Sequence, residues 1–431
     1  VYDYPADSFP ILPLIEKKER RSMRILYIDQ HAAQPSMGGD CRAVQLAQAW
    51  QKSGDEVTIV TAGNSRRPDR GSDRQTDMEE RQTEGIRFCL LSVPTDDRGL
   101  GEYRKNVQAF LRRLYANAAK LAERYRPELV IAADGYPYDF FCARRIAKLA
   151  QGKTVFELRT PWAEQRREQY PAEDSRLDRR IAEYAMSSAL RSADAVVSFL
   201  QRGEEYCRER GIKPARLITL PVPAPPQAVP EALREEDQAA LFALREKYPV
   251  IAVYAGRLSA RRLPELLAGA AGGLQEQGVA AVIAGNGGYK QILRRMVREN
   301  GWENVLLLDT QSEQRQLVLY QSADLLYYGD DRRCNAEYGS YEPFLLRLMQ
   351  SGKPILTVTH GANNAAVEAN CALPAGEVSQ HGVEKELLRF ISMTEQDRAA
   401  LGRHAADAVR TTHAVAQVAQ DYRSTLLRLW V

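Results

Sequence analysis

The sequence has few cysteines and histidines, and none of either falls in a metal-binding spacing. Six cysteines are scattered at positions 41, 89, 142, 207, 334 and 371, with no CxxC among them. That pattern argues against a zinc ribbon or a redox pair, and reduced thiols in a cytosolic setting are expected. No run of 18 apolar residues occurs, so no segment is expected to span a membrane. Residues 1–22 lack the ordered charged, apolar and small segments of a signal peptide. They read as a proline-bearing arm followed by a short charged helix. The formal net charge is only +3 and no strongly basic face stands out, so nucleic acid is not an expected partner. No GxGxxG follows the first strand with an acidic residue beyond it, which argues against a dinucleotide-dependent dehydrogenase. No DxD-type carboxylate pair stands at a strand end, so neither a metal nor any other cofactor is expected.

The hydrophobic share of 44% and the charged share of 27% are those of an ordinary globular chain. At 431 residues the chain is too long for one core, so two domains are expected. From Met23 onward, apolar runs alternate with helix-periodic stretches. RILYID (24–29), EVTIVTAG (56–63), IRFCLLSVP (86–94), PELVIAADG (127–135), KTVFELRTP (153–161), ADAVVSFL (193–200) and ARLITLPVP (215–223) read as strands. Residues 64–84 are almost all polar and read as a loop, and 102–125 as one long helix. PVPAPPQAVPEAL (221–233) is a proline-dense linker. Beyond it the alternation restarts with VIAVYAGR (250–257), VAAVIAGNG (279–287), NVLLLD (304–309), ADLLYYG (323–329) and KPILTVT (353–359). The expected class is α/β, with two doubly wound Rossmann-like domains facing a cleft. The expected segments are an arm (1–22), a first domain (23–222), a second domain (223–412) and a final helix (413–431) that crosses back to the first.

The segments MRILYIDQHAAQPSMGGDCRAVQLAQAWQKSGDEVTIVTAG, TVFELRTPW, SADAVV, VYAGRLSARR, VIAGNG and SGKPILTVTHGANNAAVEANCAL, taken in order, resemble the retaining GT-B glycosyltransferases of family four. The branch they resemble most is that of the bacterial N-acetylfucosamine-transferase-like enzymes. The resemblance spans roughly residues 23–430. It implies transfer of a sugar, with retention, from a nucleoside-diphosphate sugar held by the second domain. The acceptor, a glycan or a polyprenyl-linked sugar, would lie against the first. It further implies a cytoplasmic protein of surface-polysaccharide or glycoconjugate synthesis, acting at the inner face of the membrane.

Arg257 follows a strand and Arg262 stands five residues on, at a helix start. In the family these places carry cations that clamp the donor diphosphate. A departing diphosphate gains negative charge, and fixed guanidinium groups stabilise it. Taken alone, either side chain could equally be a solvated charge. Gly38 and Gly39 open a helix after the first strand, where backbone amides can meet a phosphate or sugar. A plain turn fits them as well. Gly285, Asn286 and Gly287 hold the equivalent place in the second half, with Asn286 where the family usually has aspartate.

Aligned on Ser351-Gly352-Lys353-Pro354, the related branch has lysine at Phe344 and glutamate at Arg347, and the broader family has an acid at Gly339. The glutamate's implied task is to accept hydrogen bonds from the ribose hydroxyls. A guanidinium only donates, so Arg347 cannot perform that task in the same geometry. Two readings stay open. Arg347 serves a phosphate or a carboxylated sugar while Phe344 stacks on the base, or the donor site has decayed. Ser340 still precedes the helix and its amide could meet the diphosphate. Tyr136 stands where the branch has a histidine near the reacting sugar, and Asp134 is the neighbouring carboxylate, or simply a turn former. His31 and Arg159 fall at strand ends facing the expected cleft, as acceptor-side candidates. Asn363, Asn364 and Glu368 match a segment near the donor sugar, or are a loop and a helix cap.

Finally, 102–126 carries Val107, Phe110, Leu114, Ala118 and Leu121 at helical spacing, with Arg104, Lys105, Arg112, Arg113, Lys120 and Arg124 covering the rest. It reads either as a peripheral membrane contact or as a helix packed on the sheet. Two functions follow from the whole: an active glycosyltransferase, or a non-catalytic GT-B shell that binds a glycan or partners an active enzyme.

Overall fold

A computed structural model of the chain describes residues 22–33, 41–63, 78–94, 100–133, 136–169, 176–339 and 341–430. Gly38, Gly39, Asp134, Ser340 and the arm up to residue 21 lie outside these residues. The first half runs β1 (Arg24–Ile28), α1 (Arg42–Lys52), β2 (Glu56–Ala62), β3 (Met78–Thr83), β4 (Ile86–Leu91), α2 (Leu100–Ala116), α3 (Ala118–Tyr125), β5 (Leu129–Ala132), α4 (Asp139–Ala150), β6 (Lys153–Leu158), α5 (Trp162–Gln169), α6 (Arg176–Ser192), β7 (Ala195–Ser198), α7 (Gly203–Glu209) and β8 (Leu217–Thr219). Residues 220–234, around the proline-dense segment, form neither helix nor strand.

The second half runs α8 (Glu235–Lys247), β9 (Val250–Ala255), α9 (Pro264–Gly273), β10 (Val279–Ala284), α10 (Lys290–Asn300), β11 (Val305–Leu308), α11 (Glu313–Ser322), β12 (Leu325–Asp330), α12 (Arg333–Tyr338), α13 (Pro343–Gln350), β13 (Ile355–Thr359), α14 (Ala365–Glu368), β14 (Ala372–Pro374), α15 (Gln380–Ser392), α16 (Glu395–Arg410) and α17 (Val415–Leu427).

The apolar runs become strands because both faces of each sheet are covered by helices, so every side chain of β9 and β10 is buried. The first sheet has the order β3-β4-β2-β1-β5-β6-β7-β8 and the second β11-β10-β9-β12-β13-β14. All pairings are parallel except β3 with β4. Strand order reverses between β1 and β5 in the first sheet and between β9 and β12 in the second. The crevices beyond the carboxyl ends of those strands are where such sheets take ligands.

Three details depart from the sequence reading. Met78–Thr83 is a strand rather than loop, carried as an antiparallel edge by β4. The helix expected over 102–125 breaks at Asn117, whose side chain donates to the Arg113 carbonyl at 2.9 Å. β14 adds a short edge strand beyond β13. The apolar positions of 102–126 are taken up by the protein itself. Phe110, Leu114, Ala118 and Leu121 are fully buried among β4, α4 and α6.

α17 lies on α1 of the first half. Trp50 meets the Tyr422 ring edge-on at 5.2 Å and donates to Ala419 O at 2.9 Å, while Arg423 pairs with Asp55 at 2.7 Å. The halves also meet through α12. Cys334 N donates to Glu168 at 3.0 Å, Gln165 to Asn335 at 2.7 Å, and Tyr338 OH to Glu209 at 2.7 Å.

Candidate functional site

A cavity of about 460 Å³ opens beyond the carboxyl ends of β9, β10 and β11. Gly256 and Arg257 form one wall, Gly285–Gly287 a second, and Thr310, Gln311 and Gln316 a third. Arg257 is exposed, has no side-chain partner among the described residues, and is the single charged residue of the lining. The Gly285–Gly287 loop packs on the loop after β9, with Leu258 N donating to Asn286 O at 2.9 Å. Gly285 has φ 157° and Gly287 φ 149°, and a Cβ on either would fall onto the carbonyl oxygen of Gly256 or Leu258. These glycines are therefore required by loop-to-loop packing. Asn286 folds back, and its Oδ1 accepts from Gly287 N at 2.9 Å.

Arg262 does not share the freedom of Arg257. Its Nη2 lies 3.1 Å from Glu342, and its Nη1 donates to Gly329 O at 3.3 Å. Its guanidinium sits 5.1 Å from the Phe344 ring and 5.4 Å from that of Tyr328. Glu342 also takes Arg261 at 2.6 Å and pairs with Arg332. Asp330, at the end of β12, takes Arg332 at 2.7 Å and Asn335 Nδ2 at 3.0 Å. Burial alone would raise the pKa of both carboxyls. The bond from Arg332 at Asp330, and the charges of Arg262, Arg261 and Arg332 at Glu342, outweigh it and hold both below the usual carboxylate range. Three guanidinium groups thus face two carboxylates at the reversal point of the second sheet, which leaves one positive charge in excess.

Phe344 packs against Tyr254 at 6.3 Å and Tyr328 at 6.2 Å, beneath the Gly256 turn, instead of presenting its ring to the cavity. Arg347, one turn further along α13, pairs with Glu313 at 2.9 Å in the first turn of α11. Gln316, on the same face of α11, reaches the cavity. Asn363 donates to the Ala336 carbonyl at 2.6 Å, and Asn364 caps α14 by accepting from Val367 N at 3.1 Å. Glu368 ends α14 and is exposed.

The reversal point of the first sheet holds a second charged group. Arg42 lies 3.2 Å from Asp29 and 3.1 Å from Glu157, all three wholly buried. Tyr27 OH donates to Glu157 at 2.7 Å and Tyr422 OH at 3.0 Å. Burial raises the Glu157 pKa against the opposing charge of Arg42. Arg159 donates to Ala133 O at 2.7 Å and lies under the Tyr341 ring at 4.5 Å, while Tyr341 N donates to Arg159 O at 3.0 Å. Tyr136 is buried, with its hydroxyl 2.6 Å from Gln30 Oε1. His31 is half-buried just past β1, its backbone N–H donating to Asp29 at 3.1 Å.

The structure thus brings Arg257 together with Gly285, Asn286 and Gly287 around one cavity. Tyr136, His31 and Arg159 stand apart from them, near the ends of the first sheet. Among the described residues no three His, Cys, Asp or Glu side chains gather to hold a metal ion. The ion cluster of Glu342, Asp330, Arg261 and Arg332 escaped the sequence reading. Its available signal was the pairing of two charge runs, Arg261-Arg262 and Asp330–Arg333, each just beyond a strand.

Residues 38–223 match the family described as glycosyl transferase 4-like domain. No curated protein matches the chain. Solved structures match it over nearly its whole length at low identity. Sucrose-phosphate synthase from Thermosynechococcus elongatus is 16% identical, covers 94% of this chain and 98% of its own, and has a TM-score of 0.65. HepE of Anabaena, solved with UDP and glucose, is 15% identical over 94% of this chain and 99% of its own, TM-score 0.60. WaaG, a glycosyltransferase of lipopolysaccharide biosynthesis, is 14% identical over 93% and 99%, TM-score 0.60. At such identities the likeness speaks for the fold, and the fold is α/β with two parallel-sheet domains, as in GT-B glycosyltransferases.

Proposed function

We propose that the chain is a glycosyltransferase that moves a hexose or amino-sugar from a nucleoside-diphosphate sugar to a glycan or lipid-linked acceptor, with retention. Its setting would be surface-polysaccharide or glycoconjugate synthesis on the cytoplasmic side of the membrane. One observation carries this reading: the exposed guanidinium of Arg257 is, among the described residues, the sole charge lining a cavity at the carboxyl ends of the second sheet. A diphosphate is the ligand chemistry that suits it. The family match of residues 38–223 and the UDP and glucose bound by HepE support the same donor class.

In the proposed step the anomeric carbon's bond to the diphosphate oxygen breaks. The acceptor oxygen bonds on the same face, and its proton passes to the departing phosphate. Arg257 stabilises the charge that develops there. Arg262, held by Glu342, adds the field of a cluster with one excess positive charge. Tyr136, whose hydroxyl is already engaged with Gln30, is not assigned a proton-transfer role. No metal is required by this scheme.

Calorimetric titration with UDP, GDP and dTDP, and then with their sugars, tests it. One nucleotide is expected to bind, and Arg257→Ala to weaken it by about tenfold to a hundredfold, the value of a charge-assisted bond of ~1.5–3 kcal/mol. Failure of all three at millimolar concentration overturns the proposal. Unchanged affinity in Arg257→Ala removes the phosphate assignment.

A second reading, a non-catalytic shell that binds a glycan or pairs with an active transferase, draws on Arg262 and Arg347. Both are engaged by carboxylates of the protein itself. Binding of a glycan without any nucleotide would favour it.

A further inference from the structure

The outer face of α6 carries two neighbouring rows of exposed residues at one helical spacing. Leu177, Ile181 and Tyr184 form an apolar row at i, i+4 and i+7, and are 68, 46 and 71% exposed. Arg176, Arg180 and Glu183 form a charged row beside it at the same spacing, and they too are exposed. The opposite face, with Ala182, Ala185, Met186, Ala189 and Leu190, is buried in the core of the first half. The apolar row is therefore not a packing surface of this fold. Among the described residues, none of Arg176, Arg180 and Glu183 is engaged in an ion pair. α4 also exposes apolar residues, Phe141 and Leu149, but the exposed charges beside them, Arg144, Arg145 and Lys148, are all positive. Of the two helices, α6 is the one that holds both signs in the row flanking its apolar stripe.

We propose that α6 pairs antiparallel with α6 of a second copy of the chain, about a two-fold axis that crosses it between Arg180 and Ile181. Charge complementarity selects this occupant. A two-fold interface must complement itself, and in an antiparallel helix pair equal edges face each other. With this axis Leu177 lies opposite the second copy's Tyr184. The second copy's Glu183 comes level with position 178, two residues, or about 3 Å of helix rise, from both Arg176 and Arg180. The two Arg180 side chains flank the axis, and each has the other copy's Glu183 beside it. The apolar row supplies the affinity. The charged row fixes the direction, because only the antiparallel pair brings that row against its own copy. Two helices of 17 residues make a small interface, so the dimer is a weak one. The inference rests on α6, not on the donor site, so it stands or falls apart from the glycosyltransferase reading.

The test is sedimentation equilibrium of the full chain over a concentration series reaching about 200 µM, which detects a Kd of that order. A monomer–dimer equilibrium is expected. Ile181→Glu should lower the association constant at least about tenfold, and so should Glu183→Arg, which leaves the charged row wholly positive. The triple variant R176E/R180E/E183R inverts every charge of the row. It should dimerise like the parent chain, yet pair with the parent at least about tenfold more weakly in a mixture where one of the two is fluorescently labelled. Circular dichroism shows that the variants remain folded. A monomer throughout the series overturns the proposal, and so does a dimer that both single variants retain. A triple variant that stays monomeric, or that pairs freely with the parent, overturns the antiparallel arrangement and the proposal with it. A monomer that binds anionic vesicles and loses that binding in Ile181→Glu assigns the row to a bilayer and equally overturns it.

Discussion

Arg347 shows how a guanidinium can seat a carboxylate beside the cavity. A carboxylate on α13 would accept from a diol, and the guanidinium there only donates. Yet the guanidinium pairs at 2.9 Å with Glu313. A carboxylate is thereby kept on this side of the site, shifted across to α11. Glu313 stands three residues before Gln316, which lines the cavity. If Glu313 serves the ribose hydroxyls, Glu313→Ala should weaken a ribonucleotide diphosphate about tenfold and reduce its preference over the 2′,3′-dideoxy form. Arg347→Glu alone should weaken it too, because two carboxylates would then repel. The double exchange E313R/R347E should recover affinity by returning the acid to α13. Calorimetry on the three variants decides this. A gain in affinity from Arg347→Glu alone would mean that the arginine blocks the site and the pair has no part in binding.

At the scale of elements, the Gly285–Gly287 turn joins fold to function. It holds the Arg257 loop by backbone contact, so its glycines answer to packing first. Gly285→Ala or Gly287→Ala should destabilise the chain by about 1–3 kcal/mol, from the positive φ and the collision with a carbonyl. Urea denaturation reads this directly, and an unchanged midpoint would mean that the loop is free to rearrange. The same scale shows what was legible in the sequence. The buried strands were, because a strand covered on both faces must be apolar throughout, as VAAVIA of β10 is. β3 was not, because MEERQT is a polar edge strand and its pairing comes from β4. The break between α2 and α3 is one residue wide, at Asn117, and periodicity does not carry so small an interruption. Arg257 could be singled out from its place just past a strand. Glu342 could not, because what defines it are guanidinium groups from residues 261, 262 and 332, and only folding brings them to it.

At the scale of the molecule, the charged cluster of the second half is tied to the first half through α12. Asn335 bonds Asp330 of the second-half cluster on one side and Gln165 of the first half on the other. Three residues on, Tyr338 stands edge-on to Tyr206 at 5.1 Å, donates to Glu209, and leaves its carbonyl to Arg202 N at 3.0 Å. α12 is thus a latch between halves that are also tied by Tyr341 against Arg159, by the 220–234 segment and by α17. His413, just before α17, is buried with its ring at 2.7 Å from the Val222 carbonyl, so that crossing is firmly seated. A two-domain protein with one seated crossing and one short latch can open by turning about the crossing. Tyr338→Ala removes a ring pair worth ~0.5–1.5 kcal/mol and a bond to a carboxylate worth ~1.5–3 kcal/mol. That loss is enough to move a closed-to-open equilibrium by about tenfold or more. Small-angle scattering should then give a larger radius of gyration for the variant than for the parent chain. A saturating nucleotide that closes the cleft should narrow the difference. Identical scattering curves without nucleotide would mean that the remaining ties, Tyr341 on Arg159, the 220–234 segment and α17, hold the halves together, and that the contacts of α12 follow closure instead of maintaining it.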